Sequence, residues 1–197
     1  MLLITKIGII AAGETGTSEQ TVSRASALYD RLCRSLDRRQ ESLGGASSDR
    51  WTELASLLSN LGELYSADEC DLAADEAFGR AADIHYRMTT HRGRSAAELA
   101  SRRARHARRV GRTDEWRSCA ELAHAEQSAT LGPDHPDTAR TGVELAEALL
   151  QSGETESAAQ LLEHCADVFA RCYGRLSQEH RSVCEKLALL DQHGIPV

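Results

Sequence analysis

A pattern of small and large residues returns every 42 residues along this chain of 197 residues. Four columns of the pattern keep one register: Gly62, Ala104, Ala146 and Ala188; Ala74, Trp116 and Ala158; Phe78, Ala120 and Leu162; and Ala81, Ala123 and Cys165. A fixed period of this length is typical of repeat proteins, in which each unit packs mainly against its neighbours. The period therefore constrains the fold more strongly than any single motif in the chain.

Within each copy the apolar residues have helical spacing. In the first copy Leu54, Leu58 and Leu61 follow i, i+4 and i+7 steps, which place them on one face of a helix. A second helical stripe follows and reaches Ile84, and only residues 66–68 separate the two stripes. Because so short a break allows only a tight turn, each copy is predicted to form two antiparallel helices.

The order of large, small and aromatic positions in the first copy resembles the consensus of the tetratricopeptide repeat. The matching residues are Leu58, Leu61, Gly62, Tyr65, Ala74, Phe78 and Ala81. The segment LGPDHPDTA at residues 131–139 is similar to the linker between repeats of the 42-residue class found in kinesin light chains. Its prolines end one helix and begin the next, and Asp137 or Thr138 is expected to cap the incoming helix. The resemblance implies an all-α fold, a right-handed superhelical array of antiparallel helix pairs.

The repeat register divides the chain into an array with atypical ends. We expect three helical hairpins at residues 50–90, 93–131 and 136–174, a capping helix at 18–45 and a second capping helix at 177–192. Such caps are needed because the outer faces of a repeat array meet solvent. Residues 1–17 form an apolar N-terminal extension of unknown structure, which could dock on the array or on a second copy to form a homodimer.

The composition indicates a soluble protein of the cytoplasm. The net charge is −7, which disfavours general binding to nucleic acid. Six cysteines are scattered without a CxxC pair, as expected for reduced thiols. Lys6 interrupts the apolar start, so neither a secretory signal nor a membrane-spanning helix is expected. The abundance of arginine and alanine suggests a GC-rich bacterial genome.

The middle repeat departs from the consensus. Its first helix contains the segment SRRARHARRVGR at residues 101–112. Arg103 stands where a large apolar residue is expected, and Trp116 stands where a small residue is usual. The first helix of this repeat is therefore expected to pack through a thin apolar stripe, and its arginines become the leading candidates for a functional site.

Two partners could balance the charge of this arginine-rich helix. Arg102, Arg105 and Arg109 share one helix face, where like charges repel. An acidic ligand would relieve the repulsion, and the planar fork of arginine suits a carboxylate or a phosphate. The alternative is pairing with the acidic residues between Asp68 and Glu76 of the preceding helix, which would explain the arginines without a ligand.

The resemblance also implies where a partner binds, because arrays of this kind line a concave groove with the first helices of successive units. The predicted groove residues are Ser59, Glu63, Arg102, Arg105, Arg108, Arg109, Arg140, Glu147 and Gln151. We interpret the chain as an adaptor or scaffold that binds a protein or peptide of acidic character. Nucleic acid is disfavoured as a partner, because the arginine-rich segment lacks aromatic residues for base stacking. The alternatives are a sensor for a small peptide or metabolite that acts on a separate effector, and a self-assembling structural protein.

Motifs for catalysis or cofactor binding are missing from the sequence. It contains no GxSxG, HExxH or phosphate-loop motif. His180 and Cys184 lie four residues apart and could share one ion, but two ligands do not make a structural zinc site. We therefore expect no enzymatic activity, no metal and no cofactor.

Overall fold

The computed structural model describes residues 48–88 and 93–192, together with Ala27, which is helical and exposed. All regular structure in these two ranges is helical: α1 (Ser48–Ala67), α2 (Asp71–Met88), α3 (Arg94–Arg109), α4 (Thr113–Leu131), α5 (Pro136–Gln151), α6 (Thr155–Tyr173) and α7 (Gln178–Gln192). Within residues 48–88 and within residues 93–192, consecutive helices pack against each other, which confirms the predicted all-α repeat fold. The predicted extension at 1–17 and, apart from Ala27, the capping helix at 18–45 lie outside the described residues.

The helix boundaries repeat with the same period as the sequence. Helices α3, α5 and α7 begin at residues 94, 136 and 178, and α4 and α6 run over 113–131 and 155–173. The turn inside each hairpin places one residue in the left-handed region: Glu69, Gly111 and Gly153, with φ values of 60°, 77° and 82°. Glycine adopts this conformation without steric cost, whereas a residue with a Cβ does not. The first hairpin therefore makes the same turn with a less suitable residue.

The chain divides into two compact units, one ending at Thr90 and the other beginning at His91. In the first unit, α1 and α2 pack through Leu54, Ala55, Leu58, Leu61, Tyr65, Ala74, Ala77, Phe78 and Ala81, all of which are buried. Gly62 lies at a close contact between the two helices, since a Cβ there would be 2.8 Å from the ring of Phe78. The absence of a side chain at this position allows the aromatic ring to seat against the backbone of α1.

In the second unit one buried cluster runs through five helices. It includes Ala104 from α3, Trp116 from α4, Ala146 from α5, Phe169 from α6 and Val183 from α7. Trp116 is only 6 % exposed, so this departure from the consensus adds buried apolar surface beside an alanine-rich helix. The helices share one core, as neighbouring repeats of a solenoid do.

The N-cap of α5 differs from the prediction. His135, rather than Asp137 or Thr138, is the N-cap of α5, and its Nδ1 accepts a hydrogen bond of 3.1 Å from the backbone N–H of Asp137. The physical reason is Pro136, which occupies the first turn of the helix and so makes the preceding residue the cap. At α7 the equivalent residue, Ser177, accepts from the backbone N–H of His180.

None of the helices in the described ranges combines the length and the apolar surface that crossing a bilayer requires.

Gly142 and Cys165 contact each other, and the small size of one residue leaves room for the larger side chain of the other. A Cβ at Gly142 would lie 2.8 Å from the Sγ of Cys165, a distance at which one atom must move. The equivalent positions of the middle repeat are Ala100 and Ala123, 42 residues earlier. The middle repeat thus has two alanines at these positions, whereas the next repeat has a smaller residue, Gly142, opposite a larger one, Cys165.

This difference predicts strong coupling between the two positions. We expect Gly142→Ala to lower the free energy of unfolding by about 1–3 kcal/mol through overpacking, although alanine improves helix propensity by about 1 kcal/mol. Cys165→Ala alone leaves a small void and should also destabilise. The double variant reproduces the alanine pair of the middle repeat and should be at least as stable as the wild type in urea denaturation. If the loss of unfolding free energy in the double variant equals the sum of the two single losses, the contact with Cys165 is not what disfavours alanine at position 142.

Candidate functional site

The structure separates the predicted groove residues between the two units. Ser59 and Glu63 lie on α1 in the first unit, where Ser59 is 2 % exposed and offers little surface to a partner. Glu63 is half-buried and takes part in interactions within the protein. The other seven predicted residues lie on α3 and α5 in the second unit.

Ion pairs link the first helices of successive repeats in the second unit. Arg108 Nη1 on α3 lies 2.7 Å from Glu147 Oε2 on α5, and Glu147 Oε1 lies 2.7 Å from Lys186 Nζ on α7. Arg140 Nη2 on α5 also lies 3.7 Å from Glu179 Oε1 on α7. In all three pairs the partners are 39 residues apart in the sequence. Because the repeat is 42 residues long, neighbouring first helices pair with a shift of three residues, nearly one helical turn.

Glu147 is the central residue of these contacts. Each of its two carboxylate oxygens forms an ion pair with one cationic side chain, and its own side chain is only 20 % exposed. Lys186, which is not among the predicted groove residues, is its second partner. The repeat register contains a signal that could have found it, because Lys186 lies 42 residues after Glu144 and 84 after Arg102. A charged residue at this position in each first helix indicates a shared surface.

Arg108 has a second partner within its own repeat. Its guanidinium lies over the indole of Trp116, 5.0 Å from the ring centroid. A cation–π contact of this kind contributes about 0.5–1 kcal/mol at an exposed site. Trp116 therefore packs in the buried cluster and also holds Arg108 against its ring, on the side of α5. Both contacts give a physical reason for a large side chain at this position.

Arg103, at the position expected to be apolar, turns towards the second helix of its own repeat. Its Nη2 lies 3.2 Å from Glu115 Oε1, and Arg112 pairs with the other oxygen at 2.8 Å. Arg103 and Arg108 are thus balanced by Glu115 on α4 and Glu147 on α5. The arginines of α3 therefore form ion pairs with one carboxylate of their own repeat and one of the following repeat. Neither pairing was predicted from the sequence.

The remaining arginines of α3 are also engaged. Arg102, Arg105 and Arg109 each take part in interactions within the protein. Arg109 Nη2 approaches Nδ1 of the buried His106 at 3.4 Å, and Arg112 Nη2 approaches its Nε2 at 3.1 Å. Arginine only donates, and an imidazole accepts a hydrogen bond at no more than one ring nitrogen, so at most one of these two contacts is a hydrogen bond.

Arg140 connects three helices at the start of α5. Its Nη2 donates a hydrogen bond of 3.1 Å to the hydroxyl of Tyr173 on α6, and its guanidinium lies 5.7 Å from the centroid of that ring. It also pairs with Asp137 and, as described, with Glu179 on α7. Gln151, the last residue of α5, is exposed.

We call the set Arg102, Arg105, Arg108, Arg109, Glu144, Glu147, Gln151 and Lys186 the first-helix surface. Glu144 is a half-buried carboxylate of this surface. Burial raises its pKa above the ordinary value, the positive charge of Arg105 opposes this, Glu147 adds to it and Arg108 again opposes it. The net direction is upward, so the folded protein favours the protonated form of Glu144.

The raised pKa of Glu144 predicts that its ionisation destabilises the fold. A group whose pKa is higher in the folded state contributes stability below its unfolded pKa and loses it as the pH rises through the folded pKa. We expect Glu144→Gln to be more stable than the wild type at pH 7, with a difference that shrinks as the pH falls towards 4. Thermal unfolding followed by circular dichroism across this range measures the effect.

Glu163→Gln on the exposed face of α6 removes the same charge and serves as the control. A lower melting temperature for Glu144→Gln at pH 7 would mean that attraction from Arg105 outweighs burial.

His180 and Cys184, which the sequence places four residues apart, lie side by side on α7. Cys184 Sγ lies 3.6 Å from His180 Nε2 on the exposed side of α7. Within 48–88 and 93–192 no three histidine, cysteine or acidic side chains are placed to hold one ion.

Comparison with known proteins identifies the repeats. Residues 95–171, which span α3 to α6, match the family model described as Tetratricopeptide repeat. The segment from α3 to α6 therefore has the sequence pattern of tetratricopeptide repeats. The match covers the linker at residues 131–139 and confirms the predicted resemblance to this family for the repeats of the second unit. No curated protein matches the chain.

A solved structure shows the same tetratricopeptide architecture. The crystal structure of BtubC (BKLC) from P. vanneervenii is similar to this chain with a TM-score of 0.69 and 20 % sequence identity. The likeness covers 91 % of this chain and 68 % of that chain. At this level of identity it shows the fold, and the function has to be argued from the surface that the tetratricopeptide repeats present.

Proposed function

We propose that this chain is a non-catalytic cytoplasmic scaffold whose first-helix surface binds an acidic segment of a partner protein. The observation that carries the proposal is the row of ion pairs through Arg108, Glu147 and Lys186. These pairs bring three successive first helices together, so that their charged side chains form one surface. The five cysteines within the described ranges are free thiols, as in proteins of a reducing compartment.

The local charge of α3 favours an acidic partner. This helix contains six arginines and one glutamate, whereas the whole chain has a net charge of −7. A concentrated positive charge on an acidic protein attracts anionic segments and speeds their encounter. Arginine can bind each carboxylate through two parallel hydrogen bonds, so a segment with several acidic side chains fits this surface better than an isolated charge.

The exposed groups next to the arginines provide further contacts for a peptide. Gln151 is exposed at the end of α5, and its amide can donate to or accept from a peptide backbone. Leu189 is exposed on α7, 42 residues after Glu147, where an apolar side chain of the partner can pack. An acidic segment that runs across α3, α5 and α7 would therefore meet cations first and an apolar contact at its other end.

Charge reversal on α3 tests the proposal. We expect Arg105→Glu combined with Arg109→Glu to weaken binding of a fluorescein-labelled oligoglutamate peptide by about tenfold, at about 0.5–1 kcal/mol for each exposed charge contact. Fluorescence anisotropy at low and high salt measures the affinity, and binding should weaken as salt screens the charges. A glycine–serine peptide of the same length should not bind.

The matched control combines Arg171→Glu with Arg175→Glu, which makes the same charge change at the end of α6 and in the turn after it. It should retain most of the affinity. Equal losses in both double variants would indicate a non-specific charge effect, and failure of the wild type to bind the acidic peptide at low salt would contradict the proposal.

A further inference from the structure

Glu147 places an acidic group of the protein itself on the cations of the first-helix surface. Its two oxygens each lie 2.7 Å from a cation, Arg108 Nη1 on one side and Lys186 Nζ on the other. These lengths are those of charge-assisted hydrogen bonds. One carboxylate therefore joins α3 to α7 through α5, in the way that a bound acidic side chain would.

These contacts are suited to exchange. The side chain of Arg108 is 54 % exposed and that of Lys186 is 35 % exposed, so solvent reaches both cations. Water at the cationic side of each pair screens the attraction and weakens the pair. An incoming carboxylate can therefore reach both cations from the solvent side, although Glu147 itself is only 20 % exposed.

Two neighbours of the Arg108–Glu147 pair, Glu144 and Trp116, bear on an exchange of Glu147 for another anion. Glu144 lies close enough for the charge of Glu147 to raise its pKa, so the two carboxylates of α5 repel each other. The guanidinium of Arg108 also lies over the indole of Trp116 at 5.0 Å, a contact that does not involve Glu147 and that we expect to hold Arg108 after Glu147 leaves. The cationic positions thus persist after the internal carboxylate leaves.

We propose that Glu147 is an internal competitor for the partner's acidic group: a bound carboxylate replaces it between Arg108 and Lys186, and Glu147 moves into solvent. The inference rests on the proposed function and adds a selection rule to it. A single weak anion does not displace a carboxylate that is held by two cations, whereas neighbouring acidic side chains on one segment act together. The favoured partner is therefore an acidic cluster whose side chains span α3 to α7.

Neutralising the competitor should strengthen binding. We expect Glu147→Gln to bind a fluorescein-labelled oligoglutamate peptide about three- to tenfold more tightly than the wild type, since the ion pairs no longer have to be broken. The control is Glu154→Gln in the turn after α5, which loses the same charge and an ion pair to Arg117 on α4. Its affinity should remain within about twofold of the wild type, because Glu154 does not contact the first-helix cations.

A double variant separates competition from a change in net charge. In a background of Arg108→Gln, the substitution Glu147→Gln should give a much smaller gain, because the main cation that it would release is gone. Circular dichroism melts establish that each variant is folded. Glu147→Ala, which leaves no amide to replace the hydrogen bonds, should give a gain in affinity of the same direction.

The possible outcomes distinguish this inference from the proposed function. If the wild type binds and the Arg105 and Arg109 reversal weakens binding, but Glu147→Gln leaves the affinity unchanged or lower, Glu147 is not a competitor and the acidic-segment function stands. Equal gains in Glu147→Gln and Glu154→Gln would also overturn the inference, as a general charge effect. If neither the wild type nor Glu147→Gln binds the peptide, both proposals fail.

Discussion

The close crossing of helix backbones at small residues is the constraint on which the other features of this structure depend. Ala104 and Ala146 are fully buried at equivalent positions, and a methyl group at Gly62 would already collide with Phe78. With side chains this small, two helices pack closely enough for the next pair to stack in the same way. The first helices then lie at a spacing that an arginine and a glutamate can bridge, as Arg108 and Glu147 do.

Much of the fold could be predicted because it follows from local rules that recur. The period, the helical spacing and the linker prolines each act within one repeat or between two neighbours, so a single sequence displays them several times. The exception at His135 has the same origin: Asp137 and Thr138 are favourable capping residues, but Pro136 determines which residue precedes the helix. A rule about residue type gave the wrong cap, and a rule about backbone geometry gives the right one.

The candidate site was less predictable because it depends on how far long side chains reach between helices. The sequence shows that arginines are crowded on α3, but it does not show which carboxylates lie opposite them. That depends on the shift of three residues between neighbouring first helices, which places Glu147 beside Arg108 and Lys186. Repulsion among the arginines was a sound reason to look for an anion. Part of the compensation is already present in the following repeat, and Trp116 orients one arginine in a way that its column alone did not suggest.

The constant separation of 39 residues between ion-pair partners means that the repeats are not interchangeable. If the middle repeat were duplicated in tandem, the residue opposite Arg108 would be the copy of Arg105, since that arginine occupies the column of Glu147. Two guanidinium groups would then face each other where a carboxylate now stands. The charges at the paired positions therefore match in the present order of the repeats and would repel each other in the duplicated one. The repeats differ in this way although their backbones are alike.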